Sequence, residues 1–252
     1  MLKDFYDQHK NFSHRTSTEY LISPGIRCKF DLIRENLDTD KIFNYAIDLG
    51  SSGNSILFYL DNLKHKSFLD IADLPLRQYT NGQKSSPLCG DLKNLPYRDE
   101  TFDLVSALDV LEHIKDDQKA VYELSRILKK SGMAIITVPH RRKFFTEQDR
   151  IIGHYRRYEL GEIVNNFNKV NLNCVRTFGI YGQMMRISDF QSTNPSKVEN
   201  GLLNLRDRYE TNPTFGKFWR IVVYIISKLM KVEAKYQSFD NLMNIGLIFK
   251  KA

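Results

Sequence analysis

Residues 44–54 read NYAIDLGSSGN, and this stretch decides the fold class. Its first part, NYAIDLG at 44–50, is a short apolar run that ends in glycine, which is typical of a buried parallel strand. A glycine-bearing turn after such a strand lets the backbone approach a ligand and points free N–H groups at an anion. The stretch therefore predicts an open α/β sheet whose ligand binds beyond the carboxyl end of this strand.

Strand and helix signals alternate along the rest of the chain. Further strands are predicted over 67–72, 87–92, 102–109, 133–139, near 174–182 and over 244–251. Helices are predicted over 24–37 with Ser23 as cap, from near Asn54, over 117–130 with Gly132 closing it, and through Leu160, Ile163, Val164 and Phe167. This alternation predicts a Rossmann-like α/β fold, with a doubly wound, mostly parallel sheet and helices on both faces.

The composition is that of an ordinary globular protein. Of the 252 residues, 42% are hydrophobic and 27% are charged, which excludes the disordered, collagenous and disulfide-rich classes. The net charge of +7 favours anionic partners, but it is too small to identify one. The three cysteines are widely spaced and form no CxxC or Cys/His cluster, so neither a disulfide framework nor a zinc site is indicated.

The polarity of the N-terminal residues bears on the cellular location. Residues 1–15 are polar and lack the apolar core of a signal peptide. No stretch approaches about 18 uninterrupted apolar residues, the length that a membrane span requires. We therefore expect a cytoplasmic protein that is at most peripheral at a membrane surface.

An acidic residue lies where a nucleoside site would need one. Asp70 belongs to the next predicted strand, about 20 residues after the glycine turn, where a carboxylate can accept hydrogen bonds from both ribose hydroxyls. The turn, GSSGNS at 50–55, lacks the GxGxxG spacing of nicotinamide-cofactor sites. Taken alone, the turn could be a tight strand-to-helix connection and Asp70 a strand-end cap.

Six segments between residues 40 and 180 share the order and spacing of one protein family. They are AIDLGSSGN (46–54), FLDIAD (68–73), GDLKNLPYRDETFDLV (90–105), LDVLEHI (108–114), LSRILKKSGMAIITVP (124–139) and GHYRRYELGEI (153–163). Together they resemble the class I S-adenosylmethionine-dependent methyltransferases, and in particular the type 11/12-like small-molecule methyltransferases that carry DVLEH. The resemblance implies S-adenosylmethionine as cofactor, S-adenosylhomocysteine as product, and a seven-stranded sheet with an antiparallel last strand.

The resemblance also implies which residues hold the cofactor. The loop from Asp48 to Gly53 would hold the methionine part, Asp70 the ribose hydroxyls and Asp91 the adenine amino group. The full predicted set is Asp48, Leu49, Gly50, Ser51, Gly53, Asp70, Ile71, Asp91, Leu92 and Leu108, with Leu92 packing on the adenine ring. Ser52 and Asn54 stand where the family usually has glycine, so the loop is expected to be tighter or the cofactor more weakly held.

Methyl transfer from a sulfonium is an in-line displacement, so the protein mainly holds the reactants in line and excludes water. An acceptor hydroxyl or acidic carbon also needs a base with a pKa near neutrality, and histidine is the natural candidate. The predicted catalytic residues are His113, just past the fourth strand, and His154 and Tyr158, both in GHYRRY at 153–158. His113 could instead be a cap or packing residue.

A metal-binding pattern is also partly matched. Asp109, Glu112, His113 and His154 resemble the ExxEH…H pattern of ubiquinone O-methyltransferases and small-RNA 2'-O-methyltransferases. This chain has aspartate at the first position, and many relatives that carry DVLEH use no metal. We therefore predict no metal.

Acceptor recognition is expected in the parts that the resemblance does not cover. We predict one domain over 1–252, made of an N-terminal helical cap (1–40), a cofactor-binding core (41–183), a helical insertion or lid (184–242) and a final strand (243–252). Tyr6, Tyr20 and Arg27 in the cap are candidate acceptor contacts.

The insertion contains an amphipathic helix at 215–232. It could pack on the core or on a second subunit, cover an apolar acceptor as a lid, or lie on an anionic membrane. The sequence favours methyl transfer to oxygen, carbon or nitrogen of a small or lipid-like acceptor, because no aromatic-interleaved basic stripe typical of nucleic-acid binding is visible. The alternatives are an RNA methyltransferase with the same cofactor site and a non-catalytic binding module.

Overall fold

A mixed sheet of seven strands lies at the centre of the protein. The computed structural model describes residues 16–37, 40–80, 85–185 and 195–252. The strands in these ranges are β1 (Phe43–Leu49), β2 (Leu63–Asp70), β3 (Ser85–Cys89), β4 (Phe102–Leu108), β5 (Leu128–Pro139), β6 (Leu172–Tyr181) and β7 (Asn244–Lys251). Their order across the sheet is β3-β2-β1-β4-β5-β7-β6.

The strand directions confirm the predicted fold class. β1 pairs in parallel with β2 on one side and with β4 on the other, and β5 is parallel to β4. β7 runs antiparallel between β5 and β6. The winding direction reverses between β1 and β4, so the carboxyl ends of these two strands flank the crevice in which sheets of this type bind their ligands.

Helices cover both faces of the sheet. They are α1 (Glu19–Ile22), α2 (Pro24–Asn36), α3 (Asp117–Ile127), α4 (Glu147–Ile151), α5 (Leu160–Asn168), α6 (Pro195–Thr211) and α7 (Pro213–Tyr236). The Ser23 side chain caps α2 as predicted, since it accepts a hydrogen bond from the Ile26 N–H. One buried apolar cluster joins the sheet to α3 and α5, and a second joins it to α2 and α7.

Two predicted helices are shorter in the structure. The segment after Asn54 forms only a 3₁₀ turn, Ile56–Tyr59, because β2 already begins at Leu63. The prediction of a helix closed by Gly132 was wrong, since α3 ends at Ile127 and Gly132 lies inside β5. Leu128 is fully buried and pairs with Phe102, so the strand begins at this residue.

Among the described residues between β6 and β7, where an insertion is predicted, the chain forms the helices α6 and α7. α7 packs on α2 and on β6. The Trp219 indole N–H donates a hydrogen bond to the Ile22 carbonyl at 3.0 Å, which ties the insertion to the N-terminal helices. The division of the chain into cap, core, insertion and final strand stays a prediction. Among the described helices, none is long and apolar enough to cross a bilayer.

Candidate active site

A cavity of about 480 Å³ lies beyond the carboxyl ends of β1, β2 and β4. Six of the predicted cofactor residues line it: Gly50, Asp70, Ile71, Asp91, Leu92 and Leu108. Asp48 and Ser51 line a small pocket that shares Gly50 and Leu108 with the cavity. Leu49 and Gly53 line neither space, and the Leu49 side chain packs into the hydrophobic core instead. The structure thus places the Leu49 side chain away from both spaces, and the predicted contact of this residue with the cofactor stays a prediction.

The loop after β1 depends on left-handed backbone conformations. Gly50 and Gly53 have φ angles of +74° and +84°, and Ser52 has a φ of +41°. A Cβ atom at Gly50 would lie 2.4 Å from Cγ2 of Val110. Both the φ angle and the close approach of Val110 therefore require glycine at position 50.

Asp70 connects this loop to the end of β2. Its Oδ2 accepts a hydrogen bond from the Ser52 N–H at 2.9 Å, and its Oδ1 accepts one from the Ala72 N–H at 3.0 Å. Burial raises the pKa of Asp70, and these backbone donors oppose that rise. A carboxylate has about four lone-pair sites, so Asp70 can still accept hydrogen bonds from a ligand.

Asp48 is more deeply buried than Asp70. Its carboxylate accepts a hydrogen bond from the Ser106 hydroxyl. Burial raises the pKa of Asp48 to about 6, although the hydrogen bond from Ser106 acts in the opposite direction. Asp48 therefore lines the small pocket beside the loop rather than the main cavity.

Two buried polar groups of the loop have no hydrogen-bond partner among the described residues. They are the Ser51 hydroxyl and the Asn54 side-chain NH₂ group. Both residues line the small pocket next to Gly50. Buried polar groups are normally hydrogen-bonded, so this pocket fits a ligand with a polar, amino-acid-like end.

Lys29 is a site residue that the sequence reasoning missed. Its Nζ lies 2.7 Å from Oδ2 of Asp109, while Oδ1 of Asp109 accepts hydrogen bonds from Thr137 and Asn244. Burial alone would raise the pKa of Asp109, but the charge and hydrogen bond of Lys29, together with the hydrogen bonds from Asn244 and Thr137, outweigh burial and lower the pKa to about 2. The available signal was a lysine within the apolar stripe of the helix at 24–37, beside Ile26.

A histidine pair lies at the opposite wall of the cavity. His113 and His154 both line it, and their ring centroids are 4.5 Å apart. The sequence brings them together because the 3₁₀ turn Leu111–His113 directly follows β4, and the Tyr155 N–H donates to the Glu112 carbonyl at 2.8 Å. The two predicted histidines therefore share one site.

Two carboxylates flank His154. Its Nδ1 lies 2.7 Å from Oδ1 of Asp149, and its Nε2 lies 3.8 Å from Oε1 of Glu112. Burial would raise the pKa of Asp149, but hydrogen bonding to His154 and the charge of Arg157 lower it to about 2. Burial and the charge of Asp109 raise the pKa of Glu112 well above its usual value. The pKa values of the two carboxylates are thus shifted in opposite directions.

The same cluster has the geometry of a metal site. Single ligand atoms of Glu112, His113 and His154 lie within 4.8 Å of one another. The absence of a metal requirement therefore stays a prediction, which metal analysis of the purified protein can test.

Tyr158 is placed outside the cavity, contrary to its predicted catalytic role. Its side chain is completely buried in the core, and its hydroxyl donates to Oδ2 of Asp117 at 2.6 Å. Burial raises the pKa of this hydroxyl above its usual value. The GHYRRY stretch therefore contributes His154 to the cavity and Tyr158 to the protein interior.

The N-terminal helices and the insertion meet at the cavity. Glu19 of α1 and Arg206 of α6 both line it and form an ion pair. The predicted acceptor contacts Tyr20 and Arg27 do not line the cavity, because the Arg27 guanidinium lies over the ring of Tyr20 at 5.2 Å. Tyr6 lies outside the described residues.

Comparison with known proteins finds a family match within the core of the chain. A family model described as "Methyltransferase domain" matches residues 47–136, which run from the end of β1 through the aspartate-bearing strand ends to most of β5. This segment is similar to that family, and the chain as a whole has the fold of solved methyltransferases.

Three similar proteins extend the match beyond the family segment. An uncharacterized protein of Methanocaldococcus jannaschii is 29% identical over 244 residues, 93% of this chain and 95% of that protein. The N-methyltransferase NodS of Bradyrhizobium japonicum, solved with S-adenosyl-L-homocysteine, has a TM-score of 0.62 and 12% identity over 98% of both chains. Phosphoethanolamine N-methyltransferase 2 of Haemonchus contortus, solved with S-adenosyl-L-methionine, has a TM-score of 0.61 and 18% identity over 100% of this chain and 60% of its own. At these identities the two structures share the fold of this protein.

Proposed function

We propose that this protein is an S-adenosylmethionine-dependent methyltransferase that methylates a hydroxyl oxygen of a small-molecule acceptor, with His154 as the general base. The observation that carries the proposal is the 2.7 Å contact between Asp149 Oδ1 and His154 Nδ1 at the wall of the cavity. An ionised carboxylate can only accept hydrogen bonds, so Nδ1 carries the proton and Nε2 keeps its lone pair. Nε2 is therefore the atom that would accept the hydroxyl proton, and Asp149 would stabilise the resulting imidazolium.

The cofactor would be held by residues on the other side of the cavity. Asp70 would bind the ribose hydroxyls, and Asp91 and Leu92 the adenine. The polar loop atoms of Ser51 and Asn54 would bind the methionine end, together with the charged pair of Lys29 and Asp109. When bound, S-adenosylmethionine supplies the electrophilic methyl group.

The walls of the cavity favour a small acceptor. The volume of about 480 Å³ is within the range of small-molecule sites, about 300–1,000 Å³. The ion pair between Glu19 and Arg206 narrows the space on the side of the N-terminal helices. A partly apolar cavity of this size suits a small or lipid-like molecule better than a nucleic acid.

The test compares matched acceptors that differ only in the nucleophile, such as phenols and the corresponding anilines, with radiolabelled S-adenosylmethionine as donor. His154→Gln should lower the methylation of hydroxyl acceptors by about 10²- to 10⁴-fold, while the affinity for S-adenosylhomocysteine in calorimetry stays unchanged. His65→Gln, at an exposed histidine of β2, is the matched control.

Three outcomes would refute the proposal. The first is full activity in His154→Gln, and the second is methylation of amines alone. The third is cofactor binding without turnover of any acceptor, which would favour a binding module. Labelling of RNA in place of small molecules would favour the nucleic-acid alternative.

A further inference from the structure

α7 presents an apolar stripe to solvent. Its members are Phe218, Ile221, Ile225, Leu229, Val232 and Tyr236, which are between 52% and 80% exposed. Their spacing of three and four residues places them along one side of the helix over about 27 Å. The opposite side of α7 carries the residues that pack on the protein, among them Val223, Met230 and Ala234. The helix is thus apolar on two sides, and the described part of the protein covers one of them.

Basic side chains line one edge of the apolar stripe. At 100° per residue, Lys217, Lys228 and Lys235 fall on the same side of α7, next to the stripe. All three are exposed, and none forms an ion pair with any described residue. The single acidic residue of α7, Glu233, lies on the opposite edge of the stripe from the lysines, where it is half-buried and its carboxylate accepts a hydrogen bond from the Met184 N–H. The exposed side of α7 therefore combines apolar and positively charged side chains without an acidic one.

We propose that the apolar stripe of α7 and its lysine edge form a docking surface for an anionic lipid bilayer. Apolar side chains of a helix lying in the membrane plane enter the headgroup and acyl boundary, and lysines at the edge contact the anionic headgroups. α7 carries both the apolar side chains and the lysines, and the lysines lie along the edge of the apolar stripe as this binding mode requires.

A second copy of the chain fits this surface less well than an anionic bilayer does. In a symmetric dimer with antiparallel α7 helices, Lys217 of one protomer would approach Lys235 of the other. Like charges placed opposite each other disfavour association, and the exposed side of α7 offers no carboxylate to compensate. An anionic membrane supplies the complementary charge.

The test is sedimentation of the full chain with phosphatidylcholine vesicles, with and without one third of phosphatidylglycerol. We expect binding to the anionic vesicles that weakens as salt is added. Lys217→Gln and Lys228→Gln should each weaken the partition about five-fold. The double variant Ile225→Ser/Leu229→Ser should weaken it at least about ten-fold.

The matched control variants replace the same kinds of side chain, one apolar and one lysine, elsewhere on the surface. Val175→Ser on β6 and Lys169→Gln after α5 remove an exposed apolar side chain and an exposed lysine, and both should bind vesicles like the parent protein. Thermal unfolding and binding of S-adenosylhomocysteine show whether the α7 variants remain folded, and these readouts are independent of the acceptor and of His154.

Three results would overturn the proposal. They are equal binding to neutral and anionic vesicles, unchanged binding by the α7 variants, and a dimer in sedimentation equilibrium that the same variants dissociate. The last result would show that the apolar stripe is covered by a second copy.

Discussion

Replacing Gly50 by alanine tests the shape of the cofactor loop. The φ of +74° costs a residue with a side chain about 1–2 kcal/mol. The new Cβ would lie 2.4 Å from Cγ2 of Val110, and relieving such overpacking costs about 1–3 kcal/mol. Gly50→Ala should therefore lower the free energy of unfolding by about 2–5 kcal/mol, the sum of the two effects.

The double variant Gly50→Ala/Val110→Ala separates the two effects. Removing the Val110 methyl groups relieves the clash but not the backbone strain, so Gly50→Ala should cost only about 1–2 kcal/mol in a Val110→Ala background. Urea unfolding of the four proteins measures the coupling, and calorimetry with S-adenosylhomocysteine reports on the loop. Gly161→Ala is the control, because a Cβ there meets no atom within 4 Å. Equal costs of Gly50→Ala in both backgrounds would contradict the assigned contact with Val110.

Three further predictions concern buried charges. Burial raises the pKa of Asp48 to about 6, so its contribution to stability is present below the unfolded pKa and is lost as the pH rises through about 6. From pH 4 to pH 7 the free energy of unfolding of the parent protein should fall by about 2 kcal/mol relative to Asp48→Asn in urea titrations, and parallel pH profiles would refute this. Asp149→Asn should lower kcat for a hydroxyl acceptor about 10²-fold or more, because asparagine cannot stabilise the imidazolium of His154, while KM for the cofactor stays constant. An unchanged kcat would show that Asp149 does not assist the proton transfer to His154. Lys29→Met should lower the free energy of unfolding by about 3 kcal/mol, because it removes the positive charge beside Asp109. Lys29→Met/Asp109→Asn should recover most of this loss. A single variant as stable as the double variant would show that the ion pair does not stabilise the protein.

The strands and the cofactor loop could be predicted because their signals are local. An apolar run that ends in glycine, as at 44–50, carries its own periodicity and turn chemistry, and the structure places a strand there. Asp70 likewise lies at the end of the strand that its own local pattern predicts, although a 3₁₀ turn replaces the predicted helix between β1 and β2.

The missed features depend on contacts between distant parts of the chain. Lys29 reaches Asp109 only because α2 packs over the sheet, and no spacing within either segment reveals this. Tyr158 neighbours His154 in sequence, but Asp117 of α3 holds its hydroxyl in the interior. Position within a motif therefore did not predict which side chain faces the cavity.

The orientation of α7 was undetermined for a different reason. Its apolar face is wide enough to include both Val223 and Ile225, so these two residues carry the same hydrophobic signal. The first is completely buried and the second is exposed, because β6 and α2 contact one side of the helix. Only the packing partners distinguish the two sides.

The insertion leaves and re-enters the sheet at a single point. Tyr181 at the end of β6 pairs with Asn244 at the start of β7, and the Met243 N–H donates to the Tyr181 carbonyl at 2.8 Å. The segment between these two residues therefore starts and ends at two neighbouring, antiparallel strands of the sheet. A segment attached in this way can be lengthened, shortened or replaced without altering the register of the sheet, and another segment can be grafted in its place. The segment predicted to be an insertion is in this way modular, whereas the glycine-bearing loop after β1 is part of the sheet framework itself.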